Sequence, residues 1–382
     1  MRMILIVLVF AMLYGCHEKK QGGIAYTKTS DTLQISDLSL LSLFQYKELN
    51  NRHLLYFLNG KSSEILVYDI DEKKNVNKIK IPGSVNRDID LGNVRSFYVH
   101  TVDSIFIQHL YCLSLIDSSG GIRYRRIINA PQSNDWPPVI YNNFGGSFPL
   151  YYDGILKSLF TRQYCGDKEQ WQPDFYSTKV EAEIYLKDSN NLELPIRYPS
   201  VYLKNYCGEA NLVFREVDDS CNIYAFMADP EIYLYNRYSG VINHFTAKST
   251  MQTGEFIPLD LKYKDDMNRK VDHLIENPIY MKIIYDKYKS RFYRFLLNGK
   301  QLKNKDGSYN IFSDKDLVIS IFDKKFGLIN EYNIGSNYSW DYSFVTPKGL
   351  YIMRNSVIPT INNQATINGK SFIFDIFTFD GN

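Results

Sequence analysis

Residues 317–334 read LVISIFDKKFGLINEYNI, and this stretch contains the unit whose repetition decides the fold. An apolar strand ends in an aspartate, a short polar turn follows, and a second strand then alternates apolar and polar residues. This pattern is typical of two paired β-strands. Four earlier copies, each with Asp or Asn at the end of the first strand, lie at residues 64–81, 113–127, 183–198 and 232–245. A sixth first half, residues 372–380, ends the chain.

Two further alternating strands precede this unit, as at residues 96–102 and 104–108 in the second copy. Each copy therefore contains four strands. Radial repetition of four-stranded antiparallel sheets is the architecture of a β-propeller. The sequence predicts an all-β chain with one six-bladed β-propeller over residues 31–382. A pair of β-sandwiches is the alternative, but it does not predict six similar units.

The last copy lacks its fourth strand. The segment Asp31–Asp37, DTLQISD, alternates and has no partner of its own. We expect it to complete the last blade and close the ring, because an open propeller would expose unpaired sheet edges. Residues 265–277 instead predict a short helix between blades 4 and 5, which ends before Pro278. Its apolar residues recur at helical spacing: Met267, Val271, Leu274 and Ile275.

The N-terminus predicts export. Residues 3–14, MILIVLVFAMLY, form an apolar run behind Arg2, as in a secretory signal peptide, and are too short to cross a bilayer, which takes about 20 residues. The following Leu13-Tyr14-Gly15-Cys16 resembles a bacterial lipobox, whose cysteine is lipidated. We predict a signal peptide at residues 1–15, a lipidated Cys16 with a polar linker to residue 30, and anchoring to the periplasmic or cell-surface face of the outer membrane. An ordinary signal peptide is the alternative.

The composition excludes some classes of protein. The chain has 44 Lys and Arg residues against 42 Asp and Glu residues, and it lacks the basic excess by which proteins bind nucleic acid. Its hydrophobic content of 45% is enough for a packed core, so a disordered chain is excluded. The 31 Tyr and 23 Phe residues favour strands over helices.

A resemblance to a family follows from the run Ile283–Lys289, IIYDKYK, and from Phe292-Tyr293-Arg294 after it. Together with the lipobox and the six aromatic-rich units, these residues resemble the propeller lipoproteins of Bacteroidetes, which are uncharacterised domains of unknown function. The resemblance covers nearly the whole mature chain. It implies the propeller fold and the route of export, and it supplies no catalytic residues.

The motifs of common enzymes are missing from the sequence: G-x-S-x-G, G-x-G-x-x-G and G-x-x-x-x-G-K-[ST]. We therefore assign no catalytic residue, no metal ligand and no cofactor. Four cysteines follow Cys16 without a C-x-x-C pair, and an exported chain favours disulfides. Cys165–Cys207 is the preferred bridge, because both residues lie in links that emerge on the same face of the propeller. Four free thiols are the alternative.

Long and short connections alternate along the predicted blades, and the long links emerge together on one face. Long loops on a rigid scaffold are where binding residues gather, and Trp, Tyr and Arg dominate binding hot spots. We expect a ligand site on this face near the channel mouth. The candidate residues are Trp136, Trp171, Trp340, Tyr176, Arg87 and Arg354.

These features favour a non-catalytic binding or scaffold module at the outer membrane, whose ligand is a glycan, a peptide or a partner protein. The first alternative is a propeller hydrolase or lyase acting on a sugar or lactone, with its site in the central pore. The second is a structural subunit of a membrane complex without a small ligand.

Overall fold

The computed structural model describes residues 26–34, 41–59, 63–82, 94–109, 112–128, 139–140, 149–164, 169–187, 191–354 and 371–379. Within these residues the chain forms antiparallel sheets arranged as six blades. The predicted signal peptide and linker lie outside the described residues, apart from the last residues of the linker.

The first three blades are each built from strands that are consecutive in the sequence. A separate strand, β1 (Tyr26–Gln34), precedes them. Blade 1 contains β2 (Leu41–Leu49), β3 (Arg52–Asn59), β4 (Glu64–Asp69) and β5 (Lys74–Lys80). Blade 2 contains β6 (Val94–Thr101), β7 (Ser104–His109), β8 (Cys112–Ile116) and β9 (Ile122–Ile127). Blade 3 contains β10 (Val139–Ile140), β11 (Tyr151–Asp153), β12 (Ser158–Tyr164), β13 (Glu181–Tyr185) and β14 (Asn191–Glu193).

The remaining blades are more regular. Blade 4 contains β15 (Val213–Val217), β16 (Cys221–Phe226), β17 (Asp229–Asn236) and β18 (Ile242–Thr246). Blade 5 contains β19 (Ile279–Asp286), β20 (Arg291–Leu297), β21 (Leu317–Asp323) and β22 (Leu328–Asn333). Blade 6 contains β23 (Tyr338–Thr346), β24 (Gly349–Arg354) and β25 (Ser371–Phe379). Blade 3 departs from the four-strand pattern, because two short segments, β10 and β11, both pair with β12.

The N-terminal strand closes the ring. β1 pairs antiparallel with β25 from Tyr26 opposite Phe379 to Gln34 opposite Ser371, which confirms the predicted closure. The strand begins five residues before the predicted Asp31. Its first part, YTKTS, carries no apolar alternation, but it pairs with β25 along its length and the Tyr26 ring packs against Phe377 and Phe379.

The repeated Asp or Asn has a structural cause. The Asp69 side chain accepts hydrogen bonds of 2.9 Å from the backbone N–H groups of Asp71 and Glu72, and so turns the chain from β4 into β5. Such side-chain bonds stabilise tight turns. The same turn, with the side-chain oxygen bound to backbone N–H groups two to four residues later, follows the third strand of three other blades, at Asp117, Asn236 and Asp323.

Neighbouring blades pack face to face. Separate apolar clusters join blades 6 and 1, blades 1 and 2, and blades 2 and 3. A larger cluster runs from blade 3 through blade 6. The ring of contacts is therefore complete, and blades 1 and 4 lie on opposite sides of it.

In the described part of the chain, three short α-helices lie in the links. They are α1 (Pro173–Tyr176), α2 (Ser200–Lys204) and α3 (Met267–Glu276). The helix α3, between blades 4 and 5, confirms the predicted helix, and the Asp266 side chain caps it by accepting from the N–H of Arg269. Its buried residues are His273 and Ile275, whereas Met267 and Val271 are exposed, unlike the predicted packing face. Among the described residues, no helix has the length and apolar character to cross a membrane.

Candidate ligand site in the central channel

One cavity runs along the axis of the propeller. It has a volume of about 510 Å³ and is lined by the first strand, or the segment leading into it, of all six blades. The lining continues into the turn after β19, at Lys287 and Tyr288, and to Leu49 at the end of β2. The cavity therefore extends from the middle of the inner strands to the end of the channel where the short turns lie. Its size is that of a small-molecule site.

A lysine from blade 1 lies in this channel. Lys47 is half-buried, and its Nζ lies 3.9 Å from the centroid of the Tyr98 ring in a cation–π contact. Burial lowers the pKa of Lys47 to about 7, against the opposing field of Glu216. Among the described residues, no carboxylate lies within ion-pair distance of this lysine.

An acidic residue from blade 4 lies on the opposite side of the channel. The side chain of Glu216 accepts a 2.9 Å hydrogen bond from the N–H of Val217. Burial raises the pKa of this carboxyl, and the N–H of Val217 and the charge of Lys282 act to lower it.

Blades 5 and 6 add a second pair of charges. Lys282 donates a 2.8 Å hydrogen bond to the backbone carbonyl of Ser343, and burial lowers its pKa against the fields of Glu216 and Asp341. Asp341 lies two residues before Ser343 on β23. Burial raises the pKa of Asp341 to about 7, although Lys282 acts to lower it.

A hydrogen-bond network crosses the rim of the channel at the short-turn end. Glu48 of blade 1 accepts bonds of 2.7 Å from Lys287 Nζ and from the Tyr288 hydroxyl, both in the blade 5 turn. The Tyr46 hydroxyl lies 3.2 Å from that of Tyr288 and 2.6 Å from His53 Nδ1. Blades 1 and 5 are not neighbours in the ring, so the network spans part of the opening.

Comparison with known proteins identifies the family. Residues 29–333 match the family described as domain of unknown function (DUF4221). The chain belongs to this family. Its fold is similar to that of a DUF4221 member from Bacteroides vulgatus, at 20% identity and a TM-score of 0.75, over 94% of this chain and 99% of that one. A candidate exported protein from Bacteroides fragilis is similar at 15% identity and a TM-score of 0.50, over 93% and 96% of the two chains. None of the curated proteins searched matches the chain.

The predicted ligand residues that the structure describes do not come together. Trp340 lies on β23, not in a long link, and packs edge-on against Phe214 with ring centroids 5.4 Å apart. Tyr176 is a core residue, 1% exposed, whose ring packs against Phe175 and Tyr198. The predicted position in a long link is therefore wrong for Trp340, whereas Tyr176 does lie in the link between β12 and β13 but is buried in the core.

The other two described candidates have different roles. Trp171 is half-buried beside α1, and Lys264 Nζ lies 4.1 Å from its ring centroid, so the link from blade 4 to blade 5 covers it. Arg354 lies at the end of β24 and binds Asp375 and Ser30, so it holds the closing strand in this DUF4221 propeller. These contacts give Arg354 a structural role, and its predicted contact with a ligand stays a prediction.

Several predicted residues lie outside the described residues: Cys16, Arg87, Trp136 and Cys165. The lipid anchor therefore stays a prediction. Cys207 is a buried free thiol in the structure, which does not support a bridge to Cys165. Burial raises the pKa of Cys207 to about 12.

The charged residues in and beside the channel were not predicted, although the sequence marks them weakly as isolated charges within apolar strands. Each of these charged residues stands alone, or next to one other charged residue, in an otherwise apolar and aromatic first strand of a blade. They are Lys47 in LFQYKEL, Glu216 in LVFREV, Lys282 in IYMKII and Asp341 in YSWDYSF. The described cavity also lies toward the short turns, whereas the sequence favoured the end with the long links. Among the described residues, no group of three His, Cys, Asp or Glu side chains has the geometry of a metal site.

Proposed function

We propose that this chain is an exported lipoprotein whose propeller binds a small ligand in the central channel. The observation that carries the proposal is the pair Lys47 and Glu216, which line the cavity from opposite sides without an ion-pair partner among the described residues. These side chains are half-buried, and a charge that loses part of its hydration costs free energy unless it is paired. A bound ligand supplies the missing partners.

The export part of the proposal rests on the N-terminal sequence. The apolar run, the lipobox-like Leu13–Cys16 and a similar protein from Bacteroides fragilis described as a candidate exported protein support it. In this arrangement the lipid holds the propeller at the outer membrane, and the channel collects a ligand there.

A channel-blocking variant tests ligand binding. Val217 lines the cavity near its short-turn end, and Val217→Trp would fill part of it. The matched control is Val241→Trp, at a position 51% exposed beside the outermost strand of blade 4. Native mass spectrometry of the full chain with a panel of dipeptides, amino sugars and oligosaccharides should show complexes that the first variant loses and the control keeps. Complexes that survive Val217→Trp unchanged, or no complex at all, would contradict the proposal.

A catalytic role is the second candidate, because one observation favours it. A carboxyl with a pKa near 7, such as Asp341, is suited to general acid or base catalysis. A hydrolase or lyase acting on a sugar or lactone would then convert a panel compound into product, and Asp341→Asn would abolish the conversion. In the binding role the compound is recovered unchanged from the complex.

A further inference from the structure

Three charges of the channel lining, Lys47, Glu216 and Lys282, form a row of alternating sign with Asp341, which acts on Lys282. Glu216 acts electrostatically on both Lys47 and Lys282, and Asp341 acts on Lys282. The order is therefore Lys47, Glu216, Lys282, Asp341, with no ion pair within 4.0 Å joining any two of them in the described part of the chain. The lining also contains Lys287 and Glu48, which pair with each other, and Arg215, which pairs with Glu181. The charges left for a ligand are Lys47, Glu216 and Lys282 in the lining, with Asp341 close enough to act on Lys282.

The positions of the blades place a ligand between these groups. Lys47 is on blade 1 and Glu216 is on blade 4, which face each other across the axis. A molecule on the axis therefore meets an ammonium group on one side and a carboxylate on the other. Asp341, on blade 6, offers a second carboxylate without a hydrogen-bond donor among the described residues.

The walls between the charges are aromatic. Phe44, Tyr98, Tyr151, Tyr285 and Phe344 all line the cavity. Such walls pack against apolar or planar side chains and exclude water, which strengthens the charge interactions beside them.

Resting on the proposed function, we propose that the channel ligand is a zwitterion of the amino acid or short-peptide class. Its carboxylate pairs with Lys47, and its ammonium group pairs with Glu216 or Asp341. An anion without an ammonium group would meet the field of two carboxylates. A neutral sugar would leave the charges of Lys47 and Asp341 unpaired.

Calorimetry with modified dipeptides tests the two charge contacts separately. The probes are Ala-Phe, its N-acetyl derivative and its C-terminal amide, with citrate as the anion and maltotriose as the neutral sugar, each added to the full chain. We expect Ala-Phe to bind, and each blocked form to bind at least tenfold more weakly. A tenfold loss corresponds to about 1.4 kcal/mol.

Variants assign each contact to a residue. Lys47→Met should remove the difference between Ala-Phe and its amide but keep the difference between Ala-Phe and its N-acetyl form. Glu216→Gln and Asp341→Asn together should do the reverse. Lys303→Met and Asp265→Asn, both at exposed positions outside the channel lining, are the matched controls and should change neither difference. Circular dichroism of each variant shows whether it remains folded.

The outcomes separate this inference from the proposed function. Equal binding of all three peptide forms, no binding of any of them, or tighter binding of citrate or maltotriose, overturns the zwitterion. If citrate or maltotriose binds and Val217→Trp prevents it, the proposed function stands while the zwitterion fails. If Ala-Phe binds and Val217→Trp does not weaken it, the channel is not the site and both proposals fail.

Discussion

Replacing Asp375 by alanine should loosen the closure of the ring, because this side chain joins all four strands of the last blade. Its carboxylate is fully buried on β25. It accepts hydrogen bonds from Ser30 on β1 at 2.7 Å and from Tyr338 on β23 at 2.8 Å. Two guanidinium nitrogens of Arg354 on β24 donate to it at 2.6 and 2.9 Å, and Lys28 lies 3.5 Å away.

The expected loss in the free energy of unfolding follows from the Arg354 charge, which Asp375→Ala leaves without its carboxylate partner. Breaking a buried ion pair by removing one partner typically costs about 3–5 kcal/mol. Arg354 is 38% exposed and stays partly hydrated after the loss of its partner, so we expect the lower end, about 3 kcal/mol. Ser30→Ala removes the hydrogen bond from its hydroxyl to the carboxylate and the one that this hydroxyl accepts from Arg354, but leaves the ion pair, and should cost about 1.5 kcal/mol.

Urea unfolding of the full chain, followed by circular dichroism, measures both losses. Asp265→Ala, at an exposed carboxylate, is the control and should change the free energy of unfolding little. Burial alone would raise the pKa of Asp375, but the bonds from Arg354, Ser30 and Tyr338 outweigh it and the net pKa is lowered. The stabilisation is therefore present at neutral pH and is lost as the carboxylate protonates in acid. A loss below about 1 kcal/mol at pH 7 for Asp375→Ala would refute the reasoning.

Four further predictions concern other positions. Burial lowers the pKa of His109 to about 4, so between pH 6.5 and 4 the unfolded chain binds a proton that the folded chain does not. His109→Gln should therefore flatten the loss of stability over this range by roughly 3 kcal/mol in urea titrations. Cys207 should resist iodoacetamide until the chain unfolds, because its thiol is buried and protonated; rapid labelling of the native protein would contradict this. Cys16→Ser should move the folded protein from the membrane pellet to the soluble fraction, whereas retention after a high-salt wash would argue against the lipid anchor. Glu181→Gln, which leaves the buried Arg215 without its charge partner, should cost about 3–5 kcal/mol, whereas Glu216→Gln should cost less than about 1 kcal/mol; equal losses in urea would contradict the distinction.

The fold could be predicted because its repeated unit depends on interactions between residues that are close in the sequence. When the third strand of a blade ends in Asp or Asn, that side chain can accept hydrogen bonds from the following backbone N–H groups and so stabilise a tight turn, as at Asp117 and Asp323. This Asp or Asn recurs in every blade whose turn after the third strand is described, and so do the alternating strands. The start of β1 was missed because residues 26–30, which pair with β25, do not alternate apolar and polar residues in the sequence.

The ligand site was harder to predict because residue type does not determine burial. Tyr176 and Trp340 are large aromatic side chains, and the sequence cannot distinguish a ring that packs in the core from one that meets a ligand. Arg354 was chosen as an arginine near a long link, but its partner Asp375 lies 21 residues later on the paired strand. A partner on a paired strand, such as Asp375 for Arg354, can be identified only when the register of the two strands is known.

Two adjacent residues on β15 show what separates a structural charge from one available to a ligand. The Arg215 side chain is fully buried between blades, where it binds Glu181 and the carbonyl of Pro149, and Glu181 also accepts from Tyr224 and Asn222. Alternation along the strand sends the next side chain, Glu216, to the other face and into the channel. There the backbone groups of Val217 and Tyr285 act on it, and Lys47 and Lys282 lie beyond ion-pair distance. Arg215 has a carboxylate partner within the protein, whereas Glu216 has no cation at that distance among the described residues, and on this difference we propose that a ligand pairs with Glu216.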